Sequence, residues 1–403
     1  MNSLRLKHFL GQVDHQIQIT GSKSESNRLL ILQKLYPNLK VLNLSNSDDT
    51  NLMLKALENS GDEINIGHAG TTMRFLTSLL SIQEGKEVIL TGSGRMKERP
   101  IQILVNALRT LGAEITYQEN DGFAPLRIKG KKLTGGKVRI DGNVSSQYIS
   151  SLLLIAPSLK KGIEIEFEGA ITSVPYIKMT LSLLEELGIS TTFSGQNITV
   201  ASKDKIEDRT VTVESDWSSA SYYYSLVALS KDGKIVLNSY KQKSLQGDSV
   251  LAEIYKSFGV KTTFSEHSIQ LEKSKNFENP TTVAFDLIKA PDIAQTIAVT
   301  CFGMGISCDL SGLHTLKIKE TDRLVALENE LTKLGAEIEV TNETLHLKAS
   351  RQINSDVSIA TYQDHRMAMA FAPLLLKTSL HIEEANVVSK SYPTFWEDFS
   401  NFQ

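Results

Sequence analysis

The strongest constraint on the fold of this chain is an internal repeat. An apolar segment that ends in a short turn and runs into a β-rich stretch occurs six times along the 403 residues. The predicted strands begin near Val41, Val88, Ile163, Ile235, Ser307 and Leu380. Their spacing is 72 to 75 residues after a first interval of 47, so the first repeat is short. Six repeats are too many for one ordinary core, and two domains of three repeats each are predicted.

A second pattern, out of phase with the first, is a predicted helix that ends in glycine and is followed by a strand. The glycines are Gly61, Gly112, Gly188, Gly259 and Gly335. The residue after a helix commonly takes the left-handed conformation, which glycine adopts without steric penalty, so all five are predicted to be left-handed. A sixth helix is predicted in "YPTFWEDFSNF", and hairpins are predicted in "YQENDGFAPLRIKG" and "FSEHSIQLEKS".

Composition limits the classes of partner. A formal net charge of −3 argues against an extended basic surface for nucleic acid or an anionic membrane. The first residues are too polar for a secretory signal, and no apolar run is long enough to span a bilayer, so a cytoplasmic location is expected. Cys301 and Cys308 lie in one apolar stretch and are expected to be buried thiols rather than a disulfide or metal ligands.

Polar and charged residues recur at the start of the first helix of every repeat, in "GSKSESNR", "HAGTTMR", "NVSSQY", "SDWSSAS", "APDIAQT" and "YQDHRMAM". Cations at the positive end of a helix are unfavourable unless an anion joins them, so Lys23 and Arg28 suggest a bound anion. The alternative is an ordinary helix cap by Ser22, Ser24 or Ser26 with solvated cations. The spacing of a Walker-type phosphate loop is absent.

Eight motifs in order resemble the family of 5-enolpyruvylshikimate-3-phosphate (EPSP) synthases, which are 3-phosphoshikimate 1-carboxyvinyltransferases. They are "GSKSESNR", "AGTTMR", "RMKERP", "VSSQ", "PDIAQTIA", "KETDR", "DHRMAMAF" and "VSKSYP". The resemblance implies an α/β fold of the α+β type, with two domains of three βαβαββ repeats each, an inside-out α/β barrel. It implies one domain of residues 22–214, a second of 1–21 with 215–403, and an active site in the cleft between them.

The reaction implied by the resemblance joins shikimate-3-phosphate to phosphoenolpyruvate and releases phosphate, on the pathway to chorismate and aromatic amino acids. The 5-hydroxyl of shikimate-3-phosphate attacks C2 of the enolpyruvate, C3 is protonated, and a tetrahedral intermediate then expels phosphate. The family uses no metal or organic cofactor. Both partners are small molecules, a monomer is expected, and glyphosate, the family's inhibitor, is predicted to compete with phosphoenolpyruvate.

The resemblance also assigns roles to individual residues. The residues for shikimate-3-phosphate are Lys23, Ser24, Arg28, Ser145, Ser146, Gln147, Ser173, Tyr176, Asp292, Thr315 and Lys319. The residues for phosphoenolpyruvate are Lys23, Gly70, Arg99, Gln147, Arg323, Arg366 and Lys390, whose arginine forks suit carboxylate and phosphate. Asp292 is expected to be the base toward the 5-hydroxyl, Glu320 the proton donor or acceptor at C3, and Lys23 the stabiliser of the leaving phosphate. The division of protons among these three stays open.

The proposed catalytic residues also have structural interpretations. Asp292 caps its helix behind Pro291 in one alternative. In another, Glu320 pairs with Arg323 while Thr321 caps the following helix.

Four further residues have a structural alternative as well. Arg366 and His365 are ordinary surface residues on this interpretation. Asp216 is a helix cap, and Arg74 only braces the cleft.

Three positions depart from the family's usual pattern. His68 replaces the usual asparagine, Phe75 follows Arg74 where proline is common, and Thr315 stands where asparagine or histidine often binds the substrate phosphate. Phe75 is expected to tilt the helix that begins at Gly70, and Thr315 puts one phosphate contact in doubt.

Two rival functions fit parts of the sequence. The first is UDP-N-acetylglucosamine enolpyruvyltransferase, which generally places a reactive cysteine in the loop that corresponds to "GSGRMKERP", and this loop has none. The second is a non-catalytic, clamp-like repeat protein, which has no need of the acidic and cationic residues that the motifs bring together.

Overall fold

The structure is a computed structural model that describes residues 3–171, 174–319 and 321–402. The α-helices in these residues are α1 Lys23–Leu35, α2 Asp48–Glu58, α3 Gly70–Ser81, α4 Gly94–Lys97, α5 Gln102–Thr110, α6 Ser146–Ile155, α7 Val174–Glu186, α8 Trp217–Leu229, α9 Leu251–Ile254, α10 Ala294–Met304, α11 Arg323–Lys333, α12 His365–Phe371 and α13 Phe395–Phe399.

The strands, in chain order, are β1 Ser3–Leu6, β2 Asp14–Ile17, β3 Leu39–Leu42, β4 Glu63–Asn65, β5 Glu87–Thr91, β6 Glu114–Tyr117, β7 Leu126–Lys129, β8 Gly136–Asp141, β9 Ile163–Glu168, β10 Thr191–Ser194, β11 Asn197–Val200, β12 Arg209–Thr212, β13 Lys234–Asn238, β14 Val260–Phe264, β15 Ser268–Lys273, β16 Thr282–Asp286, β17 Ser307–Ser311, β18 Ile338–Val340, β19 Leu345–Leu347, β20 Val357–Ile359 and β21 Leu380–Glu383. The chain divides into a continuous domain, Ser22–Val213, and a discontinuous domain that combines the residues up to Gly21 with those from Glu214 onward.

The continuous domain contains three sheets, one for each repeat. Two of them have four strands in the orders β4-β5-β7-β6 and β8-β9-β11-β10. In each, the first two strands are parallel and a hairpin joins the second of them antiparallel. The third sheet consists of β3 parallel to β12. In the described part of this domain, the sheet of the first repeat therefore has no such hairpin, which accounts for the short first interval in the sequence.

The discontinuous domain repeats the same plan. Its four-stranded sheets have the orders β2-β13-β15-β14 and β16-β17-β19-β18. In the last repeat β20 and β21 are parallel, and β1 from the start of the chain pairs antiparallel with β21 in the place of a hairpin. The two predicted hairpins are confirmed as β6 with β7 and β14 with β15.

The six predicted strand positions are confirmed by β3, β5, β9, β13, β17 and β21. The strand β9 shows the physical reason. Its residues Ile163, Ile165 and Phe167 are buried, while the glutamates between them face away from the core. Because side chains on a strand alternate between its two faces, this period of two identifies a sheet with one buried face.

The first helices of the repeats form the interior of each domain. In the continuous domain α3 packs against α6, and α1 contacts both. In the discontinuous domain α10 packs against α8 and α12, and every residue of α8 is buried. Small hydroxyl side chains allow close approach, and Ser221 of α8 and Thr296 of α10 share a hydrogen bond of 3.0 Å. Since the flanks of such helices are covered, their ends are the parts left to bind ligands.

The glycines after helices follow the prediction with one exception. Gly112, Gly188, Gly259 and Gly335 have φ between +72° and +100°. The prediction is wrong for Gly61, which is not left-handed. The helix α2 ends at Glu58, Asn59 continues in extended conformation, and the Asn59 side chain accepts the Gly61 N–H at 2.7 Å. This side-chain turn reverses the chain without a left-handed residue.

Candidate active site

The start of α1 places the first group of predicted ligand-binding residues. Ser22 occupies the cap position of α1 but makes no capping side-chain hydrogen bond. The Ser26 hydroxyl instead accepts the N–H of Ser45 at 2.9 Å. The serine-cap alternative for this stretch is therefore wrong, and the first turn of α1 is left to Lys23 and Ser24.

Arg28 lies one turn further along α1 and is buried. Its guanidinium donates to Thr180 Oγ1 at 2.8 Å, to Ser150 Oγ at 3.0 Å and to the Ser24 carbonyl at 2.7 Å. Burial lowers the pKa of Arg28 to about 10, so the group stays charged at neutral pH. Because its donors are fixed by α6 and α7, the charge is held beside the first turn of α1.

Aromatic rings flank the same guanidinium. Its central carbon lies 5.5 Å from the centre of the Phe75 ring and 5.9 Å from that of Tyr176. These distances are within the range of cation–π attraction. Phe75 is buried inside the regular helix α3, so its effect is to pack against Arg28.

Lys23 is the first residue of α1 and forms an ion pair in the continuous domain. Its Nζ lies 3.1 Å from Oδ2 of Asp49, which is almost fully buried. Asp49 belongs to the first turn of α2. Asp49 is not among the residues predicted from the sequence, although the acidic start "SDDT" of α2 indicates that a cation lies nearby.

Gly70 and Arg99 are in close contact at the start of α3. A Cβ atom at position 70 would lie 2.4 Å from Nη1 of Arg99, so only glycine permits this position of the guanidinium. Arg74 holds the backbone on both sides of this contact, since it donates to the Gly70 carbonyl at 3.2 Å and to the Pro100 carbonyl at 3.0 Å. Burial and the neighbouring Arg99 lower the pKa of Arg74. Arg74 thus has the bracing role, and the two cations together favour an anion at this helix start.

The predicted residues of α6 and α7 complete the group in the continuous domain. Ser145 caps α6 by accepting the Gln147 N–H at 3.4 Å, and Ser146 is buried in the first turn. The Gln147 amide donates to Thr71 Oγ1 of α3 at 3.1 Å, which links two helix starts. Tyr176 belongs to α7 and is partly exposed. Ser173 lies outside the described residues.

In the discontinuous domain, Asp292 is surrounded by three cations. Its carboxylate lies 3.3 Å from Nζ of Lys319, 2.8 Å from Nη1 of Arg323 and 3.4 Å from Nη2 of Arg366. The helix α10 has no side-chain cap, so the capping alternative for Asp292 is wrong. The Arg366 side chain is 14% exposed and also donates to the Asp292 carbonyl, so the surface alternative fails for it too.

These contacts set the charge of Asp292. Burial by itself opposes its ionisation, but Arg366, Lys319 and Arg323 together hold the pKa of the carboxyl well below its usual range. Burial likewise disfavours the charged form of Arg366, but Asp292, Tyr222, Asp248 and Asp216 together more than offset burial, so the pKa of Arg366 is raised well above its usual value. Asp292 is therefore ionised at neutral pH.

A second carboxylate, Asp364, binds Arg323 through a different nitrogen from the one that contacts Asp292. Nε of Arg323 donates to Oδ2 of Asp364 at 2.6 Å, and both side chains are buried. The Asp364 side chain also accepts the Arg366 N–H at 2.8 Å and so caps α12. His365 beside it is buried rather than on the surface. The motif "DHRMAMAF" contains Asp364, but no local pattern revealed its partner 41 residues away.

The start of α11 corrects another alternative. Asp322, not Thr321, caps this helix, and its carboxylate accepts the Val325 N–H at 3.3 Å. Glu320, expected to act at C3, lies outside the described residues.

Arg366 has a further carboxylate within reach through a hydroxyl. Its Nη2 donates to Ser218 Oγ at 3.2 Å, and the Ser218 hydroxyl donates in turn to Asp248. Burial and then the charge of Asp292 raise the pKa of Asp248 to about 6. Asp248 is not among the residues predicted from the sequence, although it stands in the polar stretch "QGD" after a strand.

Two further residues predicted to bind substrate, Thr315 and Lys390, belong to the discontinuous domain. Thr315 belongs to a 3-10 helix, His314–Ile318, and its Oγ1 is buried with no hydrogen-bond partner. Lys390 ends another 3-10 helix, Ala385–Lys390.

Asp216 caps α8 by accepting the Ser219 N–H at 2.8 Å, as its structural alternative states. His68, one of the departures from the family pattern, is exposed before α3.

Among the described residues, no group of three histidine, cysteine or acidic side chains is arranged to hold a metal ion. None of the helices in these ranges is long and apolar enough to cross a membrane. Both cysteines are buried and unpaired, and burial raises the pKa of the Cys301 thiol well above its usual value. Neither thiol is thus poised as a nucleophile.

The site residues form two clusters, one around Lys23, Arg28, Gly70 and Arg99 in the continuous domain and one around Asp292 in the discontinuous domain. Together with the fold, they define an α/β protein of repeated units with cationic groups at helix starts, a class suited to small polyanionic ligands. The sequence profile of the family described as EPSP synthase (3-phosphoshikimate 1-carboxyvinyltransferase) matches residues 58–399. The chain belongs to the EPSP synthase family.

Curated relatives and solved structures agree with this assignment. The chain is 45% identical over 394 residues to the 3-phosphoshikimate 1-carboxyvinyltransferase of Bacteroides fragilis strain YCH46, covering 96% of this chain and 95% of the relative. It is 37% identical over 428 residues to the enzyme of the same name from Haemophilus influenzae strain KW20, covering 97% and 96%. A solved EPSP synthase from Acinetobacter baumannii matches 100% of this chain and 98% of its own at a TM-score of 0.82 and 20% identity, which shows the shared fold.

Proposed function

We propose that the two clusters bind and convert the substrates of the family's reaction. In that reaction the enolpyruvyl group of phosphoenolpyruvate passes to the 5-hydroxyl of shikimate-3-phosphate, and phosphate is released. The observation that carries the proposal is the ionised carboxylate of Asp292, which lies within 3.4 Å of Lys319, Arg323 and Arg366. A carboxylate among cations combines a proton acceptor with groups that hold anionic reactants.

The continuous domain supplies most of the binding groups for shikimate-3-phosphate on this proposal: Lys23, Ser24, Arg28, Ser145, Ser146, Gln147, Ser173 and Tyr176. The fixed guanidinium of Arg28 and the open first turns of α1 and α6 suit a phosphate group, because helix starts offer N–H donors and a positive potential. Asp292, Thr315 and Lys319 contribute from the discontinuous domain. The unpartnered hydroxyl of Thr315 fits a polar ligand contact.

Phosphoenolpyruvate is assigned to Lys23, Gly70, Arg99, Gln147, Arg323, Arg366 and Lys390. Three of these are arginines, whose planar forks pair with carboxylate and phosphate oxygens. Arg99 lies against the bare Cα of Gly70, so the guanidinium and the backbone of the same helix start face one anionic group. Glyphosate is proposed to compete for this site.

Catalysis on this proposal begins with Asp292 accepting the proton of the 5-hydroxyl as its oxygen attacks C2. Glu320 protonates C3 as the new C2–O bond forms and removes a proton from C3 as the C2–O bond to phosphate breaks. Lys23 stabilises the leaving phosphate, which carries away the proton taken up by Asp292. Phosphoenolpyruvate bound to Arg323 and Arg366 neutralises part of their field, so the pKa of Asp292 rises and its basicity increases. The base is thereby strengthened by the substrate that it serves.

The rival transferase reaction is disfavoured by the cysteines. A reactive cysteine belongs in the loop after β5, where this chain has Arg95 to Arg99 around α4, and the two buried thiols of the discontinuous domain do not replace it. The clamp alternative is disfavoured by the buried ion pair of Arg323 with Asp364, which holds the cations around Asp292 in place.

One assay separates these functions. Phosphate release from phosphoenolpyruvate is measured with shikimate-3-phosphate and, in parallel, with UDP-N-acetylglucosamine. We expect release with the first acceptor only. Release with the second acceptor alone, or with neither, contradicts the proposal. We further propose a cytoplasmic monomer, for which a mass of one chain in light scattering is the test.

A further inference from the structure

The three core helices of the discontinuous domain have a second set of ends. Their starts carry Ser218, Asp292 and Arg366. At the opposite ends, α8, α10 and the 3-10 helix Ala372–Leu376 that continues α12 finish around a cavity of about 280 Å³. Since α8 has 13 residues, this cavity lies about 20 Å from the cluster around Asp292. It is a separate place in the fold.

Three lysines line this cavity: Lys231, Lys273 and Lys377. No carboxylate in the described part of the chain lies within 4.0 Å of any of their ammonium groups, and Asp232, beside Lys231 in sequence, makes no such pair. Burial and then Lys377 lower the pKa of Lys273 to about 8, and burial and then Lys231 lower that of Lys377. The lysines therefore repel one another.

Helix dipoles account for part of this charge but not all of it. The C-terminal end of a helix carries about half a negative charge, so three ends supply about −1.5 against three ammonium groups. The carbonyls there also have partners. Lys273 donates to the Ala228 carbonyl at 2.7 Å and to the Phe258 carbonyl at 2.9 Å, and its Nζ lies 5.0 Å from the centre of the Phe277 ring. Asn279 donates to the Met304 carbonyl at 3.2 Å. The unused N–H donors are therefore mainly those of Lys231 and Lys377, whose exposed side chains line the cavity and leave it with an excess of positive charge.

We propose that this lysine pocket, formed by Lys231, Lys273 and Lys377, binds a phosphate group. A compact ion with two negative charges balances the excess, and its oxygens accept from several ammonium groups at once. The cavity is larger than the ion, so the same chemistry suits free inorganic phosphate or a small phosphate monoester. Bound phosphate also offsets the repulsion between Lys273 and Lys377.

The test is site-resolved acetylation of the full-length protein by the N-hydroxysuccinimide ester of acetate, read by peptide mass spectrometry. Reactions are run in sodium phosphate, in sodium glycerol 3-phosphate and in sodium chloride of equal ionic strength. At a phosphate concentration of about twice its Kd, the acetylation rates of Lys377 and Lys273 should fall about threefold, because only the free fraction reacts. Lys160, an exposed lysine of the continuous domain, is the control and should not change.

Each result of this experiment either supports or overturns the proposal. Protection by phosphate alone supports the free ion as ligand, and protection by both salts supports a site that also accepts monoesters. Equal rates in phosphate and chloride, or equal slowing of Lys160, overturn the proposal. In the variant K231A/K377A the protection of Lys273 should disappear, whereas K160A should retain it with unchanged turnover. Protection that persists in K231A/K377A also overturns the proposal.

Discussion

Arg323 and Asp364 form a buried ion pair in which Nε donates to Oδ2 at 2.6 Å. The same guanidinium donates from Nη1 to Asp292 at 2.8 Å. Arginine does not lose its proton in proteins, so its charge and its planar fork are permanent. Asp364 therefore orients Arg323, and Arg323 orients the candidate base.

The first prediction concerns this pair. Asp364→Asn should lower the free energy of unfolding by about 3 kcal/mol, because it leaves a buried guanidinium without its full counter-charge. Asparagine still caps α12, so loss of the cap does not explain the effect. Urea unfolding measures it. The control is Asp322→Asn, which changes the partly exposed cap of α11 and should cost less than about 1 kcal/mol. Equal effects of the two substitutions contradict the prediction.

Asp292→Asn tests the proposed base. The amide keeps the shape of the side chain but cannot accept the 5-hydroxyl proton, so turnover should fall by about 10²- to 10⁴-fold. Melting temperature, shikimate-3-phosphate affinity and turnover are to be measured in one preparation. Asp286→Asn is the matched control, since Asp286 is exposed and its carboxylate accepts the Ile288 N–H at 3.0 Å. Turnover of Asp292→Asn within about threefold of the parent refutes the base role.

The third prediction is a pH dependence of stability that arises from Asp248. Its pKa in the folded protein is about 6, above the ordinary value of 3.8, so the folded state binds more protons than the unfolded state between these values. Stability should therefore fall as pH rises from about 4 to about 6, and the cost should be complete above that range. The charges that face Asp248 are Asp292, Arg366 and Asp216.

Asp248→Asn should remove this contribution. Between pH 4.5 and pH 7.5, the free energy of unfolding of the parent should fall by about 1 to 3 kcal/mol more than that of the variant, since one pKa unit corresponds to about 1.4 kcal/mol. Urea unfolding at both pH values measures the difference, with Asp286→Asn as the control. The same pH dependence in parent and Asp248→Asn means that another group is responsible.

Gly70→Ala should affect ligand binding rather than folding. The new methyl group meets the end of the flexible Arg99 side chain, which moves aside at little cost in stability. The displaced guanidinium should raise the KM for phosphoenolpyruvate about three- to tenfold, or roughly 1 kcal/mol. Gly94→Ala is the control, because a Cβ at position 94 meets no atom within 4 Å in the described structure. If both variants keep the parent KM, Arg99 does not bind this substrate.

The fifth prediction is that catalysis needs no metal ion. The described residues hold no group of three potential ligands, and the proposed proton transfers use carboxylates and a lysine. Full activity is expected after exhaustive dialysis against a chelator. Loss of activity that a single divalent ion restores contradicts the prediction, provided that the same ion added to untreated enzyme has no effect.

The sequence by itself determined the repeats, the strand positions and the helix starts that carry Lys23, Gly70, Asp292 and Arg366. These features follow from short-range rules, since side-chain period and helix-end chemistry are written in neighbouring residues. The family could also be predicted from the sequence, because the eight motifs and their order are properties of the sequence alone.

Only the tertiary structure decided which side chains pair across the repeats. Asp364 meets Arg323 across 41 residues, and the pocket of Lys231, Lys273 and Lys377 brings together residues from two separate repeats. Local rules also failed where two kinds of turn compete. After α2 the expected left-handed glycine does not occur at Gly61, because the Asn59 side chain makes the turn instead. Long-range pairing depends on how buried helices pack and how much water they exclude, and no local pattern records either.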